Sequence, residues 1–304
     1  MQAAPTLTDV ETSSNALKTA ATVDAAGLTD VGRERTTNED AYLIATLQRS
    51  LVVHDASPAA RGWFAGEPAG TMLVVADGMG GMGGGDVASR VAVSTVSNYL
   101  LNCMPWVAAR PSGEPRGSLP GVRDQLSSAL VAGDSTVKRA GVNSGAPHMG
   151  TTLTMALVVW PVLYVAHVGD TRCYLQRAGK LRRLTTDHTM AQQVAEVSHE
   201  PLDATSHLHH ILWNALGATE ELPKPEIKRL ELLAGDTLVL CSDGLTKHVS
   251  DEEIARTLAE VSAPAACCQQ LVARANAEGG TDNVTVVVAR MPEPASARVT
   301  RPSA

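Results

Sequence analysis

Residues 152–176 read TLTMALVVWPVLYVAHVGDTRCYLQ and hold three apolar runs, separated only by Trp160-Pro161 and Gly169-Asp170. Each run has the length and the β-branched content of a buried strand, and the short separators are typical of turns. Strands that follow one another through such turns pair antiparallel, because a parallel pair needs a long crossover. Runs of the same character recur at 41–46, 71–77, 236–241 and 284–290. The sequence therefore predicts antiparallel sheets, not a doubly wound parallel sheet.

Segments with helical spacing of apolar residues lie between these runs. One helix is predicted to start near Gly85, and a second carries Val122, Leu126 and Val137 on one face. Further helices are expected at 251–260 and 264–277. Helices packed outside antiparallel sheets give an α+β fold.

The order of the motifs predicts a single domain over residues 25–291. Acidic motifs run from 38 to 283, so they must converge within one unit. Residues 1–24 are rich in Ala, Thr and Ser and 292–304 are rich in Pro, both without apolar periodicity, which predicts a flexible leader and a disordered tail. Residues 186–221 are rich in His and only weakly periodic, so we expect a long irregular flap over the site.

Composition narrows the class of protein. With 304 residues and 44% apolar residues, the chain can bury a sizeable core. A net charge of −7 argues against nucleic acid or an anionic membrane surface as a partner. Five cysteines without framework spacing fit a reducing compartment, and the longest apolar stretch, 155–168, is too short to span a bilayer. We expect a cytoplasmic monomer.

Several acidic motifs each sit at the end of a strand-like apolar run. They are Glu39-Asp40, Asp77-Gly78, Asp243-Gly244 and Asp282-Asn283, with Asp170 as a fifth member. Carboxylates at the ends of buried strands can meet at one edge of a sheet, where they repel each other unless cations hold them. No His or Cys accompanies them in a ligand-like pattern. An all-oxygen donor set favours Mg²⁺ or Mn²⁺ over zinc.

In this order, the motifs resemble those of the metal-dependent protein phosphatase family (PPM, type 2C), in its bacterial branch. The matching segments are Arg35-Thr36-Thr37-Asn38-Glu39-Asp40, Val75-Ala76-Asp77-Gly78-Met79-Gly80-Gly81, Gly150-Thr151-Thr152, Val168-Gly169-Asp170-Thr171-Arg172, Asp187-His188-Thr189, Asn214-Ala215-Leu216-Gly217, Ser242-Asp243-Gly244-Leu245 and Gly280-Thr281-Asp282-Asn283. So many segments in order make a chance match implausible. The resemblance implies a four-layer α-β-β-α sandwich of two antiparallel sheets flanked by helices.

The resemblance also implies a role for each acidic residue at two core metal ions. Asp77 would bridge the ions and the Gly78 carbonyl would bind the second. Asp243 and Asp282 would complete the first site, and Glu39 would hold the second through water.

Further roles carried over by resemblance concern support, a third ion and the substrate. Asp40 and Asn283 would support the cluster. Asp170 would share a third, weaker ion with Asp243. Arg35 would grip the substrate phosphate, a role for which Arg33 has the wrong spacing.

The activity implied is that of a metal-dependent protein serine/threonine phosphatase. A metal-bridging hydroxide would attack the phosphorus in line, without a phosphoenzyme. The partners would be phosphorylated proteins, the substrates of bacterial Ser/Thr kinases. Two alternatives stay open: a catalytically silent phosphoprotein-binding scaffold, and a phosphatase of an anti-sigma antagonist in a partner-switching pathway.

One position departs from the family pattern. Many eukaryotic members carry a His after the Asp-Gly pair, proposed to protonate the leaving oxygen, whereas this chain has Met79. A metal-bound water or a flap group such as His188 would then have to protonate the leaving oxygen. The segment His207-Leu208-His209-His210 has no Cys or carboxylate partner at helical spacing, so a solvated flap is favoured over a zinc site.

Overall fold

The computed structural model describes residues 23–48, 68–80, 84–103, 121–199, 202–203 and 206–292. Its strands, in chain order, are β1 (Asp24–Asp30), β2 (Ala41–Gln48), β3 (Pro68–Ala76), β4 (Gly78–Met79), β5 (Gly150–Thr151), β6 (Leu153–Val159), β7 (Val162–Val168), β8 (Arg172–Arg177), β9 (Lys180–Arg183), β10 (Glu226–Glu231), β11 (Thr237–Cys241) and β12 (Val284–Arg290). Its helices are α1 (Gly85–Asn102), α2 (Val122–Ser144), α3 (Met190–Ser198), α4 (Asp243–Thr246), α5 (Asp251–Glu260) and α6 (Pro264–Ala277), with a 3₁₀-helix at His207–His210.

Two antiparallel five-stranded sheets form the centre of the fold. The first has the order β1-β12-β11-β8-β9 and the second β10-β7-β6-β3-β2, while β4 and β5 form a short ribbon. The opening segment of the sequence supplies β6, β7 and β8, and β6 pairs antiparallel with β7 around Trp160-Pro161. At Gly169-Asp170 the chain passes from the second sheet to the first. The prediction of antiparallel sheets is confirmed.

Three apolar clusters define four layers. Between the sheets, Leu73 and Val165 of the second sheet meet Leu240 and Val287 of the first. Helices α1 and α2 cover the other face of the second sheet, and α5 and α6 cover the other face of the first. Because both faces of the central strands are buried, the strands read as continuous apolar runs without polar alternation. The predicted α-β-β-α sandwich is confirmed.

Local signals fix the boundaries of the two C-terminal helices, which match their predicted ranges. The Ser250 side chain caps the backbone N–H of Glu253, and the Glu253 side chain caps the N–H of Ser250. Such a reciprocal box satisfies two backbone donors that the first turn leaves open. Pro264 opens α6 at a position where a missing N–H costs nothing.

The flap prediction needs correction, because residues 186–221 are not irregular throughout. Thr189 Oγ1 accepts a hydrogen bond from Gln192 N–H and caps α3. Only Ala191 of that helix is buried, and its other residues are partly or fully exposed. Of the predicted tail, only Pro292 is among the described residues. Of the predicted leader, only Val23 and Asp24 are described, and Asp24 is the first residue of β1. No helix among the described residues has the length and apolar character needed to cross a membrane.

Candidate metal centre

Five of the six carboxylates predicted to converge line one pocket of about 450 Å³, and only Asp40 is not among its lining residues. Asp77, Asp170 and Asp243 follow β3, β7 and β11, as predicted. Glu39 and Asp282 instead precede β2 and β12, so the prediction that each motif ends a strand was wrong for these two. In an antiparallel pair, the start of one strand lies beside the end of its neighbour. The pairs β2–β3 and β11–β12 therefore bring acids from both kinds of strand end to the same edge. Gly78, Asn283, Arg35 and Met79 also line this pocket.

The backbone of Asp77 is held by two threonines. Asp77 N–H donates to Thr152 Oγ1 at 3.0 Å, and Thr152 N–H donates to the Asp77 carbonyl at 2.9 Å. Thr151 Oγ1 donates to the same carbonyl at 2.8 Å. Both hydroxyls bond to the backbone of Asp77, so we assign these threonines a structural role.

Asn283 ties the Glu39 loop to the rest of the site. Its Oδ1 accepts from Glu39 N–H at 2.8 Å, and its Nδ2 donates to the carbonyls of Val31 and Thr37 at 2.9 and 3.0 Å. Gly78 N–H donates to the Glu39 carbonyl at 3.2 Å. Asn283 is 5% exposed, so all these bonds form in a largely dry environment. Its neighbours thus position Glu39 beside Asp77 and Gly78.

Burial and mutual repulsion act on the acids together. Burial, with the negative charges of Asp40 and Asp243 adding to it, raises the pKa of Asp77 well above its usual value. For the same reasons the pKa of Asp40 rises to about 7 and that of Asp170 to about 8. A group of carboxyls that resists ionisation in this way needs nearby positive charge to be ionised at neutral pH.

Two basic side chains reach into the cluster. Arg35 Nε lies 2.9 Å from Asp282 Oδ1, and its Nη2 donates to Oδ2 at 3.2 Å. Lys247 Nζ lies 2.7 Å from Asp243 Oδ2 and 2.8 Å from Asp282 Oδ2. Burial alone would raise the pKa of Asp282, but the Lys247 and Arg35 cations hold it below its usual value. The residue expected to grip phosphate is thus bound to one of the acids.

His188 does not occupy the position suggested for a leaving-group acid. It is buried and is not among the residues that line the pocket. Its Nδ1 accepts from Gly169 N–H at 3.1 Å and lies 2.9 Å from Asn214 Nδ2, so it supports the turn before Asp170 from behind. His210, on the 3₁₀-helix, is the flap histidine that lines the pocket. The sequence analysis singled out this segment but did not indicate which of its histidines would line the pocket.

A second group of potential ligands lies beneath this turn. His167, His188 and Glu226 bring one ligand atom each within 4.8 Å of one another. However, His167 Nδ1 lies 2.7 Å from Thr154 Oγ1, and its Nε2 lies 2.9 Å from the Thr186 carbonyl. Glu226 accepts from Thr186 N–H and binds Lys228. These atoms already have protein partners, so the group is a hydrogen-bond network that connects the flap to the second sheet.

The pocket's donor set fits hard divalent cations. All its acidic ligands are oxygens, and Oδ1 of Asp40 and Oδ1 of Asp243 are buried without a hydrogen-bond partner. Leaving a buried carboxylate oxygen unpaired is costly unless a cation satisfies it. The sequence analysis did not predict Lys247 as a site residue. Its position four residues after Asp243 is the spacing at which two residues of a helix form an ion pair.

Comparison with known proteins extends these observations. The sequence model described as Protein phosphatase 2C matches residues 47–278. The chain is 30% identical over 268 residues to Protein phosphatase PhpP of Streptococcus pneumoniae, covering 88% of this chain and 96% of PhpP. It is 35% identical over 221 residues to Serine/threonine protein phosphatase PstP of Mycobacterium tuberculosis, covering 72% of this chain but only 40% of PstP. The chain thus spans less than half of that relative's length.

Among solved structures, the catalytic domain of serine threonine protein phosphatase PstP in complex with 2 manganese ions is similar to this chain. The TM-score is 0.65 at 30% identity, and the alignment covers 89% of this chain and 99% of that one. The residues matched by the sequence model include Asp77, Asp170 and Asp243. The likeness therefore spans most of the segments that carry the acidic pocket.

Proposed function

The chain belongs to the protein phosphatase 2C (PPM) family, and on that premise we propose that it is a metal-dependent protein serine/threonine phosphatase. The observation that carries the proposal is the convergence of five carboxylates and Arg35 on one pocket. Its substrates are proposed to be proteins phosphorylated by bacterial Ser/Thr kinases, which it meets as a monomer in the cytoplasm.

The proposed site holds two Mn²⁺ or Mg²⁺ ions, as supported by the acids and by the manganese-bound neighbour. Asp77 is proposed to bridge them, with Asp243 and Asp282 on one side, Glu39 and the Gly78 carbonyl on the other, and Asp40 and Asn283 in support. Asp170, with Asp243, is the acid that the family resemblance assigns to a third ion. When bound, such ions activate water for attack on phosphorus and offset charge on the phosphoryl oxygens.

Residues of the chain are proposed to orient the phosphate and to hold the Asp77 carboxylate in place. Arg35 is half-exposed at the pocket rim, and its planar guanidinium can engage two phosphoryl oxygens at once. Its bonds to Asp282 keep the guanidinium close to the acids of the pocket. Thr151 and Thr152 fix the backbone of Asp77, so that its carboxylate needs little reorganisation.

Arg35→Ala is expected to raise KM and lower kcat for a phosphoserine peptide, each by about tenfold or more, because a bidentate contact to the phosphate is lost. Mn²⁺ affinity, measured by calorimetry, should not fall, since arginine does not bind metals. Arg33→Ala is the control, because Arg33 is exposed and lies outside the pocket. Lost Mn²⁺ affinity with an unchanged KM would instead assign Arg35 a structural role at Asp282.

His210 is proposed to donate the proton that Met79 cannot. A serine leaving group departs as an alkoxide and needs a proton, whereas an aryl phosphate has a much better leaving group. His210→Gln is therefore expected to lower kcat for a phosphoserine peptide by about a hundredfold. Hydrolysis of an aryl phosphate should change little.

His207→Gln is the matched control for that variant, because His207 lies on the same 3₁₀-helix but not in the pocket. Comparable losses on both substrates would show that His210 shapes the flap and does not transfer a proton.

The two alternative functions are separated by direct assays. A silent phosphoprotein-binding scaffold would not hydrolyse an aryl phosphate with Mn²⁺ above a chelator control, and the named phosphatase relatives do not favour it. A phosphatase of an anti-sigma antagonist would share the chemistry but act on one phosphorylated client. Comparison of phosphoproteomes with and without the protein distinguishes that client from kinase substrates at large.

A further inference from the structure

Lys247 is a cation built into the acidic pocket. Its backbone N–H donates to the Asp243 carbonyl at 2.8 Å, so it stands one helical turn beyond that acid. From there its Nζ reaches Oδ2 of Asp243 at 2.7 Å and Oδ2 of Asp282 at 2.8 Å. The side chain is 26% exposed, and these charges are therefore screened less than those of a surface pair.

The two carboxylates held by Lys247 come from different parts of the chain. Asp243 begins α4, while Asp282 lies just before β12. An ordinary exposed pair at this helical spacing would be worth only about half a kilocalorie per mole and would connect nothing else. Because the ammonium bridges both acids, it fixes their separation. Asp243 Oδ1 stays buried and without a hydrogen-bond partner, and so remains available to another cation.

The Lys247 ammonium can be counted with the metal ions that offset the negative charge of the pocket. Five carboxylates line the pocket and Asp40 lies behind them, which gives six negative charges when all are ionised. Two divalent ions, Arg35 and Lys247 together supply six positive charges. A third divalent ion would bring an excess of positive charge before any substrate arrives. Lys247 and Asp170 line the same pocket as Asp243 and Asp282.

We propose that Lys247 is a resident cation that takes the place of a third metal ion beside Asp170 and Asp243. In this position it orients Asp243 and Asp282 for the two core ions. The inference rests on the proposed function only for the assignment of these carboxylates as metal ligands. Lys247 is accordingly a positioning residue, and its effect is measured on the number of bound ions.

Lys247→Met tests this by counting Mn²⁺ ions without substrate, using calorimetry and metal analysis after gel filtration in Mn²⁺-containing buffer. The natural chain is expected to bind two ions and the variant three, because removal of the ammonium frees Asp243 Oδ2 in the pocket that Asp170 also lines. In the Lys247→Met, Asp170→Ala double variant, the count should return to two. Lys247→Arg retains the charge and should also bind two.

Lys138→Met is the matched control, since Lys138 pairs with buried Asp134 at 2.9 Å on α2, away from the pocket. It removes the same charge from a similar pair and should leave the ion count at two. Three ions in the natural chain, or two in Lys247→Met, would overturn the proposal. If Lys247→Met does not fold, Lys247→Gln takes its place with the same expected count of three, and three ions in the natural chain would still overturn the proposal.

These measurements are independent of phosphatase activity. A chain that binds two ions but hydrolyses no phosphoprotein would contradict the proposed function and leave the role of Lys247 standing. A chain that hydrolyses phosphoprotein with three bound ions would support the function and refute the role of Lys247.

Discussion

Asp77→Asn is expected to reduce turnover of a phosphoserine peptide by about a thousandfold or more. The carboxylate proposed to bridge both ions becomes a neutral amide, and the charge that draws the ions together is lost. Calorimetry should show weaker Mn²⁺ binding in the variant. Asp124→Asn, which changes an exposed acid in the first turn of α2, should behave like the natural chain. Near-normal turnover in Asp77→Asn would contradict the binuclear assignment.

The same variant should be more stable than the natural chain in a chelator. Burial and the neighbouring acids raise the pKa of Asp77, so its ionised form is unfavourable in the folded protein. A neutral amide of the same shape removes that repulsion. We therefore expect a higher melting temperature for Asp77→Asn in chelator, although its activity is nearly lost. A lower melting temperature would mean that the Asp77 carboxylate stabilises the fold by itself.

Stability in chelator should also depend on pH in a defined direction. The pKa values of Asp40 and Asp170 rise to about 7 and about 8 in the folded protein, whereas an unfolded carboxyl ionises near pH 4. Between these values the folded state binds more protons than the unfolded state. Unfolding free energy therefore falls as pH rises from about 4 to about 8. Added Mn²⁺ should reverse that fall, because it binds the ionised acids of the folded state.

The sheets could be predicted from sequence because their central strands are buried on both faces and carry long apolar runs. Strand β1 was missed for the opposite reason. Its sequence, DAAGLTD, has few apolar residues, and it becomes a strand by pairing with β12 at the other end of the chain. The backbone hydrogen bonds that make it a strand come from this distant partner, so no local sequence pattern predicts them.

The convergence of the acids could be predicted in the same way, since strand ends must meet at an edge. The direction of individual side chains could not. His188 and His210 belong to one His-rich segment, but the first is buried and bonded to Gly169, whereas the second lines the pocket. The local sequence around Lys247 does not indicate its second ion pair, because Asp282 lies in a loop far along the chain. These placements depend on tertiary contacts.

Gly78→Ala is expected to disrupt the site through sterics alone. A Cβ at this position would lie 2.1 Å from the Gly85 carbonyl oxygen and 2.6 Å from the Glu39 carbonyl oxygen. Both are backbone atoms, one at the start of α1 and the other in the loop that carries a proposed metal ligand. Neither can rotate away as a side-chain end could, so the loop or the helix must shift. Overpacking of this kind costs about 1–3 kcal/mol of unfolding free energy, and occasionally more.

The activity of Gly78→Ala should fall further than its stability. A displacement of about 1 Å among positioned groups can lower a rate about a hundredfold. Gly78 is held between Glu39 and Thr151, and the carboxylate of Asp77 precedes it directly. Denaturant unfolding and phosphopeptide turnover measure the two losses. Gly80→Ala is the matched control, because its Cβ would meet nothing closer than Gly85 N at 3.2 Å, which a small shift can relieve. Equal, mild effects in both variants would mean that the loop is compliant, and that contact with Gly85 and Glu39 does not set the position of the acids.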